Sequence, residues 1–165
     1  DRGKPKEEQT PMCGVPYHSV EAYIGRLVAK GYKVAICEQM EDPASAKGIV
    51  RRDVVRVITP GTVIESSMLD ESKNNYLASV CASNGNVGMC FIDISTGEVN
   101  LTEFSENIEQ RVINEMGRYN PTEIILNKEV VSFTSLADFI SKKLEASVEL
   151  LIEEFDFTNA ENICK

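Results

Sequence analysis

Two chemistries are open to the polar residues of this sequence: hydrolysis of a phosphodiester at paired hard cations, and capture of phosphates by Lys and Arg. The first needs several carboxylates converging on the metals, mostly from strand ends. Asp93, Glu123 and Asp138 are the acids that fall in or beside apolar runs. The leading run of that region, Tyr76 to Ala82, has no acid, and Asp138 lies inside a helical pattern, so the three are not brought together. Asp93-Ile94-Ser95-Thr96-Gly97 reads instead as a turn in which Asp93 or Ser95 bonds nearby backbone. Neither G-x-x-x-x-G-K-S/T nor G-x-G-x-x-G occurs, which keeps nucleotide hydrolysis out of this stretch. His18 is the single histidine, and Cys13, Cys37, Cys81, Cys90 and Cys164 form no C-x-x-C pair. Scattered thiols in apolar runs act as small hydrophobes and fit a reducing, cytoplasmic setting better than a disulfide or zinc framework. No catalytic residue, metal ligand or cofactor site is expected in this chain.

The second chemistry is better supplied. Lys47, Arg51, Arg52 and Arg56 are candidate phosphate contacts, with a solvated surface role as the competing reading for each. On a regular strand Arg52 and Arg56 share a face and Arg51 takes the other, so the three cannot all touch one DNA backbone. His18 could donate to a phosphate; helix capping or burial in the core are its alternatives. The net charge of −9 argues against a general nucleic-acid binder. Residues 1–60 hold ten Lys and Arg against eight Asp and Glu, whereas 61–165 hold seven against eighteen. Phosphate contacts would therefore come from the first third. The acidic remainder would avoid DNA, face a basic partner or simply be solvated. No apolar run approaches the roughly 18 residues of a membrane span, and the polar start lacks a signal-peptide pattern.

These residues must be held by ordered elements. Val20, Tyr23, Ile24, Leu27 and Val28 recur at helical spacing and predict a helix over 19–30, with Ser19 as N-cap (or His18 with Glu21) and Gly31 as the left-handed residue after its end. A short, buried strand is expected over 32–37, with Gln39 satisfying loop backbone beyond it. A turn covers 43–48, and a β-branched strand over 52–59 runs into Pro60-Gly61. Residues 64–74 read as a linker or a short helix. A three-stranded meander follows over 76–82, 87–94 and 98–104, with Asn84-Gly85 as a hairpin turn and Val99, Leu101 and Glu103 on one face. Then come a helix over 106–116 capped by Ser105 and ended by Gly117, a buried strand over 123–127 parallel to the first, a helix over 135–144, a strand over 148–152 and the start of a helix at 158. The order β-β-β-α-β-α-β-α is that of the ribonuclease-H-like fold, in an α/β class overall.

Met12-Cys13-Gly14-Val15-Pro16-Tyr17-His18, Gly31-Tyr32-Lys33-Val34-Ala35-Ile36-Cys37-Glu38-Gln39, Pro43, Lys47-Gly48, Arg51-Arg52, Val54-Val55-Arg56 and Thr59-Pro60-Gly61-Thr62 together resemble the MutS family of bacterial DNA mismatch-repair proteins. The run is long and gap-free. The resemblance implies a fragment: residues 1–63 as the second half of a mismatch-recognition domain, 64–74 as a linker, and 75–165 as the connector domain. In the family an aromatic-x-Glu motif wedges into the minor groove at a mispair; it would lie upstream of Asp1. By the same resemblance Met12 is an apolar groove contact on a loop shaped by Gly14 and Pro16, with core filling as its alternative. Mismatched double-stranded DNA, the partner MutL docking through the connector, a homodimer, and ATP with Mg bound in a distant C-terminal domain are all implied for the longer protein. A cytoplasmic, nucleoid-associated location is implied as well. Two rival readings stand beside this one: a ribonuclease-H-like metal-dependent nuclease working through Asp93 or Glu123, and a recombination-type homologue without mismatch reading. Truncation would leave Val34, Ile36, Val55 and Val57 partly uncovered and favour self-association.

Overall fold

The computed structural model describes residues 5, 7, 14–42, 44 and 48–151. The helix expected to begin at Thr158, and Met12 and Lys47, lie outside the described residues. A single 3-10 turn, Tyr17–Ser19, runs straight into α1 (Val20–Val28). Ser19 stands at the N-cap without a side-chain bond, because its own φ of −104° and ψ of −4° already continue the turn. The far end closes as expected: Gly31, at φ 81°, and Tyr32 donate to Val28 and Leu27 carbonyls at 2.8 and 3.1 Å, the paired bonds of a Schellman end.

That ending delays the first strand. β1 spans Val34–Gln39 and pairs antiparallel with β2, Arg52–Ile58. Gln39 is a ladder residue opposite Arg52, and β1 is mostly exposed, not buried. Ile24 and Val28 of α1 pack with Ile58 and Val63, flanked by Val20, Val34 and Ile36. Tyr23 and Leu27 stay about half exposed, since a two-stranded ribbon is too narrow to cover their side of the helix. Val55 and Val57 are likewise exposed. The register jumps between Ile36, opposite Arg56, and Cys37, opposite Val54, so Val55 is a bulged residue.

The second sheet has the order β5-β4-β3-β6-β7: Glu98–Phe104, Asn86–Asp93, Leu77–Ser83, Glu123–Asn127 and Ser147–Leu151. β3, β4 and β5 form an antiparallel meander, while β6 and β7 run parallel to β3. Asn84 and Gly85, at φ 50° and 79°, make the tight left-handed turn that Asn-Gly supplies without strain. α2 (Ile108–Tyr119) and α3 (Thr134–Lys143) cover one face. Val80, Met89, Phe91, Val112, Met116 and Leu136 are all but fully buried between them. Tyr119 stacks on Phe91 with ring centroids 4.1 Å apart and meets Tyr76 edge-on at 5.2 Å.

α2 departs from expectation at both ends. Its N-cap is Asn107, not Ser105, and the helix passes through Gly117 to stop at Asn120; both asparagines are left-handed, at φ 49° and 48°. Asn tolerates that conformation, and the packed Tyr119 ring holds the extra turn in place. The Glu109 carboxylate of α2 accepts from the N–H groups of Ser135 and Leu136, at 2.6 and 3.2 Å, and so caps α3. Val99 and Leu101 do share a face, but it is the one turned away from the helices, and Leu101 is 76% exposed. The segment 64–74 holds a 3-10 turn, Ser66–Met68, that packs back on α1: a Cβ on Gly25 would meet Met68 Cγ at 3.2 Å.

Candidate functional site

The segment Gly14–His18 is exposed throughout. The Pro16 carbonyl accepts from Ser19 N–H at 2.9 Å, which fixes the turn into α1 and leaves the side chains outward. His18 is exposed and caps nothing by its side chain, so neither the core role nor the capping role holds.

On the hairpin, the bulge decides what the arginines can reach. Pairs opposite one another share a face, and β1 alternates regularly. Arg56, opposite Ile36, therefore lies on the side of Val34 and Ile36, whereas Arg52, opposite Gln39, lies on the other. The expected common face of Arg52 and Arg56 is broken by the extra residue at Val55. Arg56 is moreover held by Glu65 in a part-buried ion pair. That bond from Arg56 is the main reason the Glu65 carboxyl is held below its ordinary value. A phosphate would have to compete with it. Arg51 is three-quarters exposed, with a loose 3.7 Å contact to Asp53, and its N–H donates to Glu41. Arg52 is exposed on the open face of the hairpin.

The acids do not form a metal centre. Asp93 is buried; its carboxylate accepts from Ser95 N–H at 2.9 Å, Ser95 Oγ at 2.6 Å and Asn75 N–H at 3.1 Å. Burial works to raise its carboxyl, but the donors from Ser95 and Asn75 outweigh it and hold Asp93 below the usual value. This is the turn role that the sequence indicates. Glu123 is also buried, and its Oε2 accepts from Gly61 N–H at 2.9 Å and from the Thr59 hydroxyl. Asp138 is exposed on α3 and pairs with Lys142 at 2.7 Å. Among the described residues no three His, Cys, Asp or Glu side chains are grouped to hold a metal ion. Burial pushes the thiols of Cys81 and Cys90 up, away from reactivity.

The contact of Glu123 with Thr59 and Gly61 is not visible in sequence, because it joins residues more than 60 positions apart. The one local signal is Thr-Pro-Gly-Thr itself, whose two threonines flank Pro-Gly and form a reciprocal cap across the turn Pro60–Thr62.

Residues 1–67 match the family model of MutS domain I and residues 75–164 that of MutS domain II. The DNA mismatch repair protein MutS of Ruminiclostridium cellulolyticum is 48% identical over 159 residues, covering 95% of this chain and 18% of that protein. The MutS of Alkaliphilus metalliredigens is 59% identical over 120 residues, 72% of this chain and 14% of that protein. The chain thus spans less than a fifth of the length of these curated relatives. Fowlpox virus resolvase, solved with a Holliday junction, superposes with a TM-score of 0.37 at 17% identity over 53% of this chain and 69% of its own, a likeness from which nothing follows. Among the described residues no helix is long and apolar enough to cross a membrane.

Proposed function

The chain belongs to the MutS family, and on that premise we propose that it is part of a DNA mismatch-repair sensor that binds mismatched duplex DNA under ATP control. The observation that carries the proposal is the identity of 48% across 95% of the chain to a protein named for mismatch repair. Residues 1–63 supply the second half of the recognition domain, 64–74 cross over, and 75–165 form the connector. The strand order β5-β4-β3-β6-β7, with the meander antiparallel and β6 and β7 parallel to β3, supports a ribonuclease-H-like fold for that connector.

No catalysis is assigned to this stretch. Its part is to support the mismatch-reading site and to link it to the ATP-hydrolysing core of the longer protein, where ATP and Mg bind. Gly14, Pro16, His18, Arg51 and Arg52 are exposed and available to the duplex, and Arg56 is recruited only if Glu65 releases it; the family resemblance adds Met12, and the charge of its side chain adds Lys47. MutL docks through the acidic connector, the longer protein is a homodimer, and its place is the bacterial cytoplasm.

Fluorescence anisotropy with the longer protein tests this, on a labelled duplex with and without a single mispair. Tighter binding of the mispaired duplex is expected, and equal affinity for both would overturn the proposal. Arg52→Glu should weaken both duplexes to a similar degree and lower the salt slope by about 1, as loss of a phosphate contact does.

A further inference from the structure

We infer that the Pro60–Thr62 turn seated on Glu123 is a rigid joint between the hairpin β1–β2 and the five-stranded sheet. The joint, and not the connecting segment 64–74, carries movement from one to the other. The inference rests on the reading above for its use, since a sensor must pass the state of its DNA-facing half onward.

Glu123 is only 3% exposed, and among the described residues both hydrogen bonds to its carboxylate come from the turn, from Thr59 and Gly61. Lifting the turn away would leave a buried carboxylate without donors, which proteins avoid strongly. The hydroxyls reinforce one another. The Thr59 hydroxyl donates to Glu123 and lies 2.9 Å from the Thr62 hydroxyl, which itself accepts from the Thr59 N–H at 2.9 Å. The turn and the carboxyl group thus share one connected network. The seat is also close-packed. A Cβ on Gly61 would lie 2.9 Å from Glu123 Cβ, closer than real Cβ atoms come, and 3.0 Å from Leu77 Cβ, so something in the seat would have to shift. A second strap runs from Asn75 Nδ2 to the Pro60 carbonyl at 2.9 Å, with Asn75 steadied in turn by Thr122 Oγ1 at 2.8 Å.

The placement makes this contact a lever. On one side Thr59 follows directly on Ile58, the last residue of β2, which is 1% exposed in the hairpin core. On the other side Leu77 and Glu123 are the first residues of β3 and β6 and lie opposite each other in the ladder. A tilt of the hairpin thus enters the sheet at two central strands. The segment 64–74 cannot act as the transmitter on its own, because Met68 and Leu69 pack with α1 and move with the hairpin. Among the described residues the ion pair of Lys33 with Glu149 also crosses; it joins side chains that are each more than 40% exposed, and is weak for that reason.

Backbone 15N relaxation of the whole chain tests the joint. In the wild type, residues of α1, β1 and β2 should share one rotational correlation time with β3–β7. Gly61→Ala, which wedges the turn off its seat, should split that single value in two while amides of the β3–β6 ladder keep their protection from hydrogen exchange. Thr59→Val removes a donor without adding bulk and should act in the same direction; it decides the matter if Gly61→Ala disturbs the sheet itself. Two correlation times in the wild type would overturn the inference, as would a single one in Thr59→Val. No DNA enters the measurement, so its failure leaves mismatch binding untouched, and a failure of mismatch binding leaves the joint standing.

Discussion

The Asp93 carboxylate is 1% exposed and yet stays ionised at neutral pH, because Ser95 and the Asn75 N–H aim their donors at both of its oxygens. Asparagine at this position cannot reproduce that arrangement. Its amide nitrogen would meet the Asn75 N–H donor to donor. Asp93→Asn should therefore cost about 2 kcal/mol at pH 7, the range for hydrogen bonds to a charged group. The pH dependence follows from the lowered carboxyl. Stability from ionised Asp93 is fully present above the unfolded value of about 3.9 and is lost as pH falls through the lower folded value. Urea unfolding of the two proteins at neutral and acid pH should show the gap narrowing in acid. A gap that stayed constant down to acid pH would mean the charge is not what stabilises this turn. Asp93 is also the residue most fully legible in the sequence, since Asp-Ile-Ser-Thr-Gly is a local turn signal that needs no distant partner. His18 is the opposite case. Its type is informative, but whether it is covered depends on what packs around it, and here it is exposed.

At the scale of elements, periodicity found nearly every helix and strand, while the faces were harder to read. Alternation puts Val99 and Leu101 together, yet it cannot say which side of the sheet the helices take. The answer lies in α2 and α3, whose Val112, Met116 and Leu136 meet the opposite face, where Phe91 and Met89 lie. Leu101→Thr should accordingly change stability by no more than about 0.5 kcal/mol, whereas Phe91→Ala, which empties a ring-sized space beneath Tyr119, should cost about 4 kcal/mol. Comparable losses for the two in urea unfolding would mean that the outer face is covered. The bulge at Val55 was illegible for a related reason. Asp-Val-Val-Arg-Val alternates as well with an extra residue as without one, and only the pairing with Ile36 and Cys37 fixes it. That single residue separates Arg52 from Arg56, and with them the two halves of the phosphate-binding surface the sequence indicates.

For the molecule as a whole, charge and apolar surface pull in opposite directions. The hairpin covers one face with α1 and leaves the other open, where Val54 and Val57 are each about half exposed, with Val55 bulging beside them. Open apolar strands of this kind seek a partner. The net charge of −9 sits mainly beyond residue 60 and repels a second copy. Salt screens that repulsion over a Debye length of about 10 Å at 0.1 M while leaving the apolar attraction intact. Self-association of the chain should therefore strengthen as salt is added, whereas any binding to duplex DNA through Arg51 and Arg52 should weaken. Sedimentation equilibrium across a salt series distinguishes the two forces. A mass that rises with concentration and with salt, and returns to that of a monomer in a Val54→Lys, Val57→Lys double variant, is the expected result. A strictly monomeric wild type at high concentration and high salt would mean that the bulge and the hairpin's exposed polar residues already protect this face. The arginines beside it would then be free for DNA without competition from a second copy.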